Sequence, residues 1–233
     1  MRLLAIETAT AVTAIALDGD GAACEVLVDD QRRHTEVLAP AIVALLAERG
    51  WSARDLDAVV VDVGPGLFTG LRVGVATAKG LSVATGVGLL AVSSTDALVA
   101  AACEAGVTGL VVAVVDARRR EVFAAIHTCG PNGARCLEDV TLATPVALAA
   151  RIARLEGDVV LVGDGAVRHR DVLAAGESRT VRDDLQVPSP GAAARLSRQR
   201  VDAGAAVQHH AAVHPWYLRE ADAVAHFAVR EAP

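Results

Sequence analysis

A glycine-rich stretch, GPGLFTGLRVGVATAKG, occupies residues 64–80 and directly follows an apolar run that is typical of a buried strand. A glycine-rich turn between a strand and a helix often holds a phosphate, because its backbone N–H groups can approach the anion closely. A P-loop requires G-x-x-x-x-G-K-[ST], but Lys79 is followed by Gly80. The dinucleotide-binding fingerprint requires G-x-G-x-x-G, whereas the spacing here is G-x-G-x-x-x-G. Neither phosphate-binding pattern is present.

We predict instead that this turn makes a sharp corner from strand to helix, and that the helix beyond it packs closely through small residues. Gly70, Gly74 and Ala78 are spaced four apart, so they lie on one helix face that a neighbouring backbone can approach. A glycine inside a helix costs about 1 kcal/mol relative to alanine, so close packing must offset it. Either the chain's own sheet or a helix of another subunit can provide that contact. The structural residues of the motif are Gly64, Pro65, Gly66, Gly70 and Gly74.

The sequence contains few other candidates for metal-binding or catalytic residues. His210 and His214 form an i, i+4 pair that can bind a metal, with His209 beside them. No cluster of carboxylates or cysteines accompanies these histidines and Pro215 indicates a loop, so we expect no metal site. The G-x-S-x-G elbow of serine hydrolases is absent from the sequence.

Three consecutive arginines, Arg118, Arg119 and Arg120, lie beside a predicted tight turn. A solvated turn is one explanation for this cluster, and a local contact with RNA or with a partner protein is the other. The sequence leaves both interpretations open.

The composition is that of a globular protein with an aliphatic core. Of the 233 residues, 53% are hydrophobic and only 3% aromatic. The net charge of −6 excludes the domain-wide basic footprint of a nucleic-acid-binding domain. The four cysteines form no C-x-x-C pair, and neither a secretory signal nor a membrane span is recognisable. We therefore expect a reduced, cytoplasmic protein that contacts no membrane.

The predicted elements occur in two similar sets, each with three strands, a helix, a strand and a further helix. In the first half they are strands 2–8, 12–18 and 23–29, helix 34–50, strand 56–63, a helix to 85, strand 88–94 and helix 97–106. In the second half they are strands 109–117, 121–128 and 134–142, helix 144–157, strand 158–166 and helices 169–176 and 190–206. Repetition of a whole unit indicates an α/β protein with two similar lobes, which we place at 1–106 and 107–233. The tail 213–233 is able to pack across either lobe.

Several segments occur in an order that resembles the TsaB family, also called YeaZ, whose members are bacterial partner subunits in the synthesis of threonylcarbamoyladenosine in tRNA. They are IETAT, HTEVLAPAI, GPGLFTGLRVGVATAKGL, VSSTDAL, VVDARRREVFAA, LVGDGA and PWYLRE. The resemblance covers nearly the whole chain. It implies two ribonuclease-H-like lobes of the fold shared by actin, Hsp70 and the sugar kinases, in agreement with the duplicated pattern of elements.

The resemblance also identifies the positions at which active relatives carry their catalytic groups. A metal-binding His-x-x-x-His pair would fall on Ser94 and Leu98, neither of which replaces a histidine. The first hairpin, ETATAVTA, lacks the glycine that lets backbone N–H groups approach a phosphate. A turn in the second lobe resembles a reduced adenosine-binding turn, and its residues are Gly163, Asp164 and Gly165. We predict no catalytic residue and no cofactor in this chain.

Partners follow from the same resemblance. Family members pair with the catalytic subunit TsaD and the small ATPase TsaE, in which ATP and metal are expected, and tRNA is contacted only within the complex. The predicted interface uses the first long helix and the helix after the glycine motif, with candidates His34, Leu38, Ala41, Ile42, Leu45, Phe68, Thr69, Leu71, Arg72, Val75 and Ala76. The function implied is a noncatalytic scaffold that activates TsaD. The alternatives are a stand-alone ATP-dependent or M22-peptidase-like enzyme of the same fold, and a homodimer paired through the same face.

Overall fold

Two five-stranded mixed sheets form the framework of the protein. The computed structural model describes residues 1–28, 34–131, 133–176 and 178–218. The predicted tail is described as far as Leu218, and its remainder, 219–233, lies outside the described residues.

The first sheet begins with an antiparallel meander whose strands alternate or run apolar, as predicted. Its elements are β1 (Leu3–Glu7), β2 (Thr13–Gly19), β3 (Ala22–Val28), α1 (His34–Glu48), β4 (Ala58–Asp62), α2 (Phe68–Thr85), β5 (Gly88–Val92) and α3 (Ser94–Glu104). The strand order is β3-β2-β1-β4-β5, with β4 parallel to both β1 and β5. Every residue of β4 is buried, as expected for a parallel strand covered on both faces.

The second sheet repeats this arrangement. Its elements are β6 (Gly109–Asp116), β7 (Val122–Gly130), β8 (Gly133–Ala143), α4 (Pro145–Ile152), β9 (Val159–Val162), α5 (Asp164–Arg168), α6 (Arg170–Leu173), β10 (Arg179–Val181) and α7 (Pro190–Asp202). The strand order is β10-β9-β6-β7-β8, so β6 takes the place of β1 and β9 that of β4. The prediction of two similar α/β units is therefore confirmed.

The two units exchange helices. Leu98 and Val99 of α3 pack into the core beneath the second sheet, although α3 lies in the first half of the chain. Ala193 and Ala194 of α7 pack onto the first sheet, although α7 lies in the second half. The predicted boundary between 106 and 107 lies between the strands of the two sheets, and α3 and α7 each pack on the sheet of the other half.

Helices near the carboxyl end are shorter than the sequence indicated. The predicted helix 169–176 is reduced to α6, and α7 ends at Asp202. The predicted strand 158–166 ends at Val162, and α5 takes the place of its last residues. The described tail contacts both halves of the protein, since Val213 enters the core of the first sheet and Leu218 packs against that of the second. Within the described ranges, no helix combines the length and the hydropathy needed to cross a membrane.

A disulfide joins Cys103 at the end of α3 to Cys129 on β7, with the two Cα atoms 5.6 Å apart. The expectation that all the cysteines are reduced is therefore wrong for this pair. The contact was not predictable from the sequence, because the two cysteines are 26 residues apart. They meet only because α3 packs against the second sheet. Cys24 and Cys136 are free thiols.

Candidate functional site

A buried pair of carboxyl groups marks the carboxyl ends of β1 and β4. Glu7 and Asp62 are each only 2% exposed. Asp62 Oδ1 accepts hydrogen bonds from the backbone N–H of Gly64 (2.6 Å) and from Ser94 Oγ (2.8 Å). Glu7 Oε1 accepts from the N–H of Ala9 at 2.7 Å. Because β1 and β4 are parallel neighbours, both side chains reach the same edge of the sheet.

The two carboxyl groups raise or lower each other's pKa. Burial raises the pKa of Glu7 well above its ordinary value, and the neighbouring Asp62 charge and carboxyl–carboxyl hydrogen bond raise it further. Burial also raises the pKa of Asp62, although its hydrogen bonds from Glu7, Gly64 and Ser94 oppose that effect. We infer that Glu7 is the protonated member and donates to Asp62. That proton supplies a donor to Asp62 Oδ2, which otherwise has none among the described residues.

Groups of the hairpin between β1 and β2 form hydrogen bonds within the hairpin and to α2. The Ala9 N–H is occupied by the Glu7 carboxyl group, and Thr8 Oγ1 donates to the carbonyl of Gly70 at 2.8 Å. The N–H of Val12 donates to Thr10 Oγ1 at 3.3 Å. A phosphate held at this hairpin would have to replace these hydrogen bonds.

The glycine motif packs against this hairpin. A Cβ on Gly70 would overlap the Thr8 carbonyl oxygen, one on Gly74 would overlap Thr8 Oγ1, and one on Gly66 would overlap the Ala9 carbonyl oxygen. The corner itself begins at Gly64, whose φ of +110° favours glycine. Of the two contacts left open by the sequence, one within the chain itself explains Gly70 and Gly74, and the hairpin beside the first sheet provides it.

Gly80, the remaining glycine inside α2, has a different environment. It is exposed, and a Cβ added there would meet nothing within 4 Å. No contact within the described chain therefore offsets its cost to the helix.

The predicted second-lobe turn is also built for packing. Gly163 has a φ of +101°, and a Cβ there would overlap the carbonyl oxygen of Val114. Asp164 Oδ1 accepts from the N–H of Asp116 at 2.9 Å, and burial raises the pKa of Asp164. A Cβ on Gly165 would press against the backbone of β6. These contacts account for the glycines without a ligand.

The two positions of the missing histidine pair are buried. Ser94 donates to Asp62, and Leu98 lies in the core beneath the second sheet. His209 and His210 stack with ring centroids 4.0 Å apart. Within the described part of the chain, no group of three or more histidine, cysteine or carboxylate side chains has metal-binding geometry.

An exposed aromatic–cation cluster lies at the start of α2. Phe68 and Tyr217 have ring centroids 4.9 Å apart and are 36% and 43% exposed. The Arg72 guanidinium lies 3.6 Å from the Phe68 centroid, and Arg72 Nε donates to the Tyr217 hydroxyl at 2.9 Å. Three large side chains thus hold one another in place on the surface.

Comparison with known proteins identifies the family. A family model described as TsaD: tRNA N6-adenosine threonylcarbamoyltransferase matches residues 28–185. The tRNA threonylcarbamoyladenosine biosynthesis protein TsaB of Escherichia coli is 32% identical over 193 residues, which are 82% of this chain and 83% of the relative. The TsaB of Bacillus subtilis is 31% identical over 232 residues, 97% of each chain. The chain belongs to the TsaB family.

A solved structure has the same fold as this TsaB-family chain. YeaZ from Pseudomonas aeruginosa superposes with a TM-score of 0.81 at 25% identity, over 93% of this chain and 99% of that one. The similarity to TsaB of Haemophilus influenzae is shorter, 36% identity over 123 residues that span about half of each chain.

In this TsaB-family chain, the candidate interface residues separate into two groups. Six are buried, and their side chains face the chain's own core and hairpin: His34, Leu38, Ile42, Leu45, Leu71 and Val75. Four are exposed, and Ala41 is half-buried; the exposed ones are Phe68, Thr69, Arg72 and Ala76. The buried residues are out of reach of a partner in this conformation, because α1 and α2 turn their large aliphatic side chains toward the first sheet.

His34 belongs to the interior for a specific reason. Its Nδ1 lies 2.6 Å from Thr13 Oγ1 on β2, and burial lowers the pKa of its ring. Its position at the first turn of α1 therefore fixes this helix against the first sheet.

The sequence analysis did not identify several residues of the exposed face and of the buried site. Val43 of α1 and Val83 of α2 are 68% and 67% exposed, although the helical period of the sequence already separates them from the buried leucines. The pairing of Glu7 with Asp62 gave no sequence signal, because it depends on the parallel register of β1 and β4.

Proposed function

We propose that this chain is the noncatalytic scaffold subunit of the complex that makes N6-threonylcarbamoyladenosine in tRNA. It docks onto TsaD through the outer face of α1 and α2 and acts together with TsaE, while ATP and metal bind in those partners. The names of the TsaB relatives support a role in this biosynthesis.

The observation that carries the proposal is the exposed face of α1 and α2. Phe68, Arg72, Ala76, Gly80 and Val83 follow one another at helical spacing along α2 and are exposed. On the neighbouring helix, an exposed strip contains Ala39, Val43 and Ala47.

This face has the composition of a docking surface. Aromatic residues and arginine carry much of the energy at protein interfaces, and the Phe68–Arg72–Tyr217 cluster offers both in a fixed arrangement. Small residues beyond the cluster, such as Ala76 and Gly80, leave room for a partner helix to approach closely.

Docking would act on TsaD by stabilising one of its conformations. A subunit that binds the competent state of its partner more tightly than other states shifts the population toward it. The chain's own contribution is then rigidity, which the glycine contacts between α2 and the first hairpin support. No chemical step is assigned to Glu7 or Asp62, whose protonated pair is enclosed and occupied by internal hydrogen bonds.

Binding to TsaD tests the proposal. Arg72→Glu removes the contacts to Phe68 and Tyr217 and reverses the charge in the aromatic–cation cluster of this face. We expect it to weaken binding at least about 30-fold, the loss typical of an interface hot spot. The matched control is Arg154→Glu, an exposed arginine after α4. Unchanged binding by Arg72→Glu and by Phe68→Ala, with both variants folded, would overturn the proposed surface.

Two rivals are separated by further measurements. Sizing the chain with and without TsaD distinguishes a heteromeric complex from a homodimer that uses the same face. ATP hydrolysis or peptide cleavage by the isolated chain, abolished by Asp62→Asn, would favour the stand-alone enzyme.

A further inference from the structure

The turn between β6 and β7 carries a concentration of positive charge. Arg118, Arg119 and Arg120 are all exposed and follow β6, with Ala117 between the strand and the first arginine. Arg168, from the end of α5, joins them. Its Nη1 and that of Arg118 each lie 3.3 Å from the same oxygen, Oδ2 of the buried Asp116. We call these four arginines the arginine turn.

The backbone of the arginine turn is strained. Arg118, Arg119 and Arg120 have φ angles of +60°, +52° and +62°, in the left-handed region, which is unfavourable for residues other than glycine. The turn is closed by hydrogen bonds from the Ala117 N–H to the Glu121 carbonyl and from the Glu121 N–H to the Arg118 carbonyl, both 3.0 Å. Glycine or asparagine would relieve the strain, so turn formation does not explain three arginines there.

The arginine turn lies at a sheet edge where α/β proteins commonly bind ligands. It follows the carboxyl end of β6, beside the parallel strand β9, and in open α/β sheets ligands bind outside this edge. Asp116 also holds the backbone of the turn, because its Oδ1 accepts a hydrogen bond from the Arg118 N–H at 2.9 Å. The acidic groups here are Asp116, Asp164 and Glu121, of which Asp116 is already shared between two guanidinium groups.

We propose that the arginine turn binds phosphate groups of an RNA backbone within the assembled complex. Guanidinium forks match phosphate oxygens and, unlike ammonium groups, can bind them in pairs of hydrogen bonds. The net charge of the chain is −6, so the chain as a whole does not attract polyanions. The arginine turn would therefore bind RNA through a local contact. The inference rests on the proposed function, which makes tRNA the polyanion at hand.

The experiment measures the affinity of the reconstituted complex with TsaD and TsaE for tRNA over a series of salt concentrations. In the test variant, Arg118, Arg119 and Arg120 are all replaced by asparagine, which tolerates the left-handed backbone and removes the charge. The control variant carries the same change at three exposed arginines elsewhere, Arg54, Arg135 and Arg154. A third variant places lysine at positions 118–120 and keeps the charge.

We expect the test variant to bind tRNA roughly tenfold more weakly, and its dependence of log K on log salt to flatten by about 0.7–0.9 for each phosphate that the variant no longer neutralises. The control variant keeps its affinity, and the lysine variant recovers part of it. Unchanged affinity and slope in the test variant overturn the proposal.

Loss of complex assembly in the test variant also overturns it, because the turn would then bind a protein. Failure of the proposed function gives a separate result. If the wild-type chain does not assemble with TsaD, yet its binding of tRNA alone depends on the arginine turn, the scaffold role fails and the RNA site stands.

Discussion

Among single residues, the buried Glu7–Asp62 pair should make the free energy of unfolding depend on pH. The folded state holds the Glu7 proton to a higher pH than the unfolded chain, whose pKa is near 4.5. The stability that this proton provides is complete below pH 4.5 and is lost as the pH rises through the raised pKa of the folded state. Glu7→Gln keeps an N–H donor toward Asp62 and removes the titration.

We therefore expect the free energy of unfolding of Glu7→Gln, relative to that of the wild type, to increase as the pH rises above about 4.5. Chemical unfolding between pH 4 and 8.5 measures this difference, with Glu48→Gln as an exposed control. A difference that does not change with pH would show that Glu7 is ionised in the folded protein.

At the scale of elements, α2 contains glycines of opposite roles. Gly74→Ala forces a methyl group into Thr8 Oγ1, which donates to the Gly70 carbonyl, so we expect a loss of about 1–3 kcal/mol. Gly80→Ala meets no atom within 4 Å and should stabilise the isolated chain by about 1 kcal/mol, or roughly 2–4 °C in Tm. Thermal unfolding of both variants measures the two signs.

The same Gly80→Ala variant connects the helix to its proposed partner. If a helix of TsaD packs closely over this position, the added methyl group weakens docking while it stabilises the free chain. Weaker binding and a higher Tm in one variant is the expected combination. Binding as tight as that of the wild type would place Gly80 outside the contact.

Most of the helices and strands were predictable from the sequence. Strong periods of apolar residues predicted both meanders, the buried strand β4 and the duplicated order, since each depends on neighbours along the chain. The corner at Gly64 was recognisable because glycine and proline have distinctive backbone conformations.

Contacts between distant segments were not predictable in this way. The resemblance to the family places Leu38, Ile42 and Leu45 at a partner surface, but the structure places them in the core of the first sheet. Their helical spacing in the sequence already marks one apolar face. The Glu7–Asp62 pair likewise depends on strand register, and the shared Asp116 anchor of the arginine turn on the position of α5.

At the scale of the whole molecule, the exchange of α3 and α7 ties the two sheets together. The Cys103–Cys129 disulfide fixes α3 to β7 across this exchange. A cross-link that closes a loop of this length stabilises a fold by about 3 kcal/mol. We therefore expect reductant, or Cys103→Ser, to lower the Tm by several degrees. Cys24→Ser, at a free thiol, is the control. An unchanged Tm in reductant would contradict the cross-link.

The central claim is that the chain contributes a docking surface to a tRNA-modifying complex. The most direct test is the content of threonylcarbamoyladenosine in tRNA from cells depleted of this protein and complemented with variants. We predict that depletion lowers the modified nucleoside, that wild type and Arg154→Glu restore it, and that Arg72→Glu does not. An unchanged content of threonylcarbamoyladenosine after depletion would contradict the account.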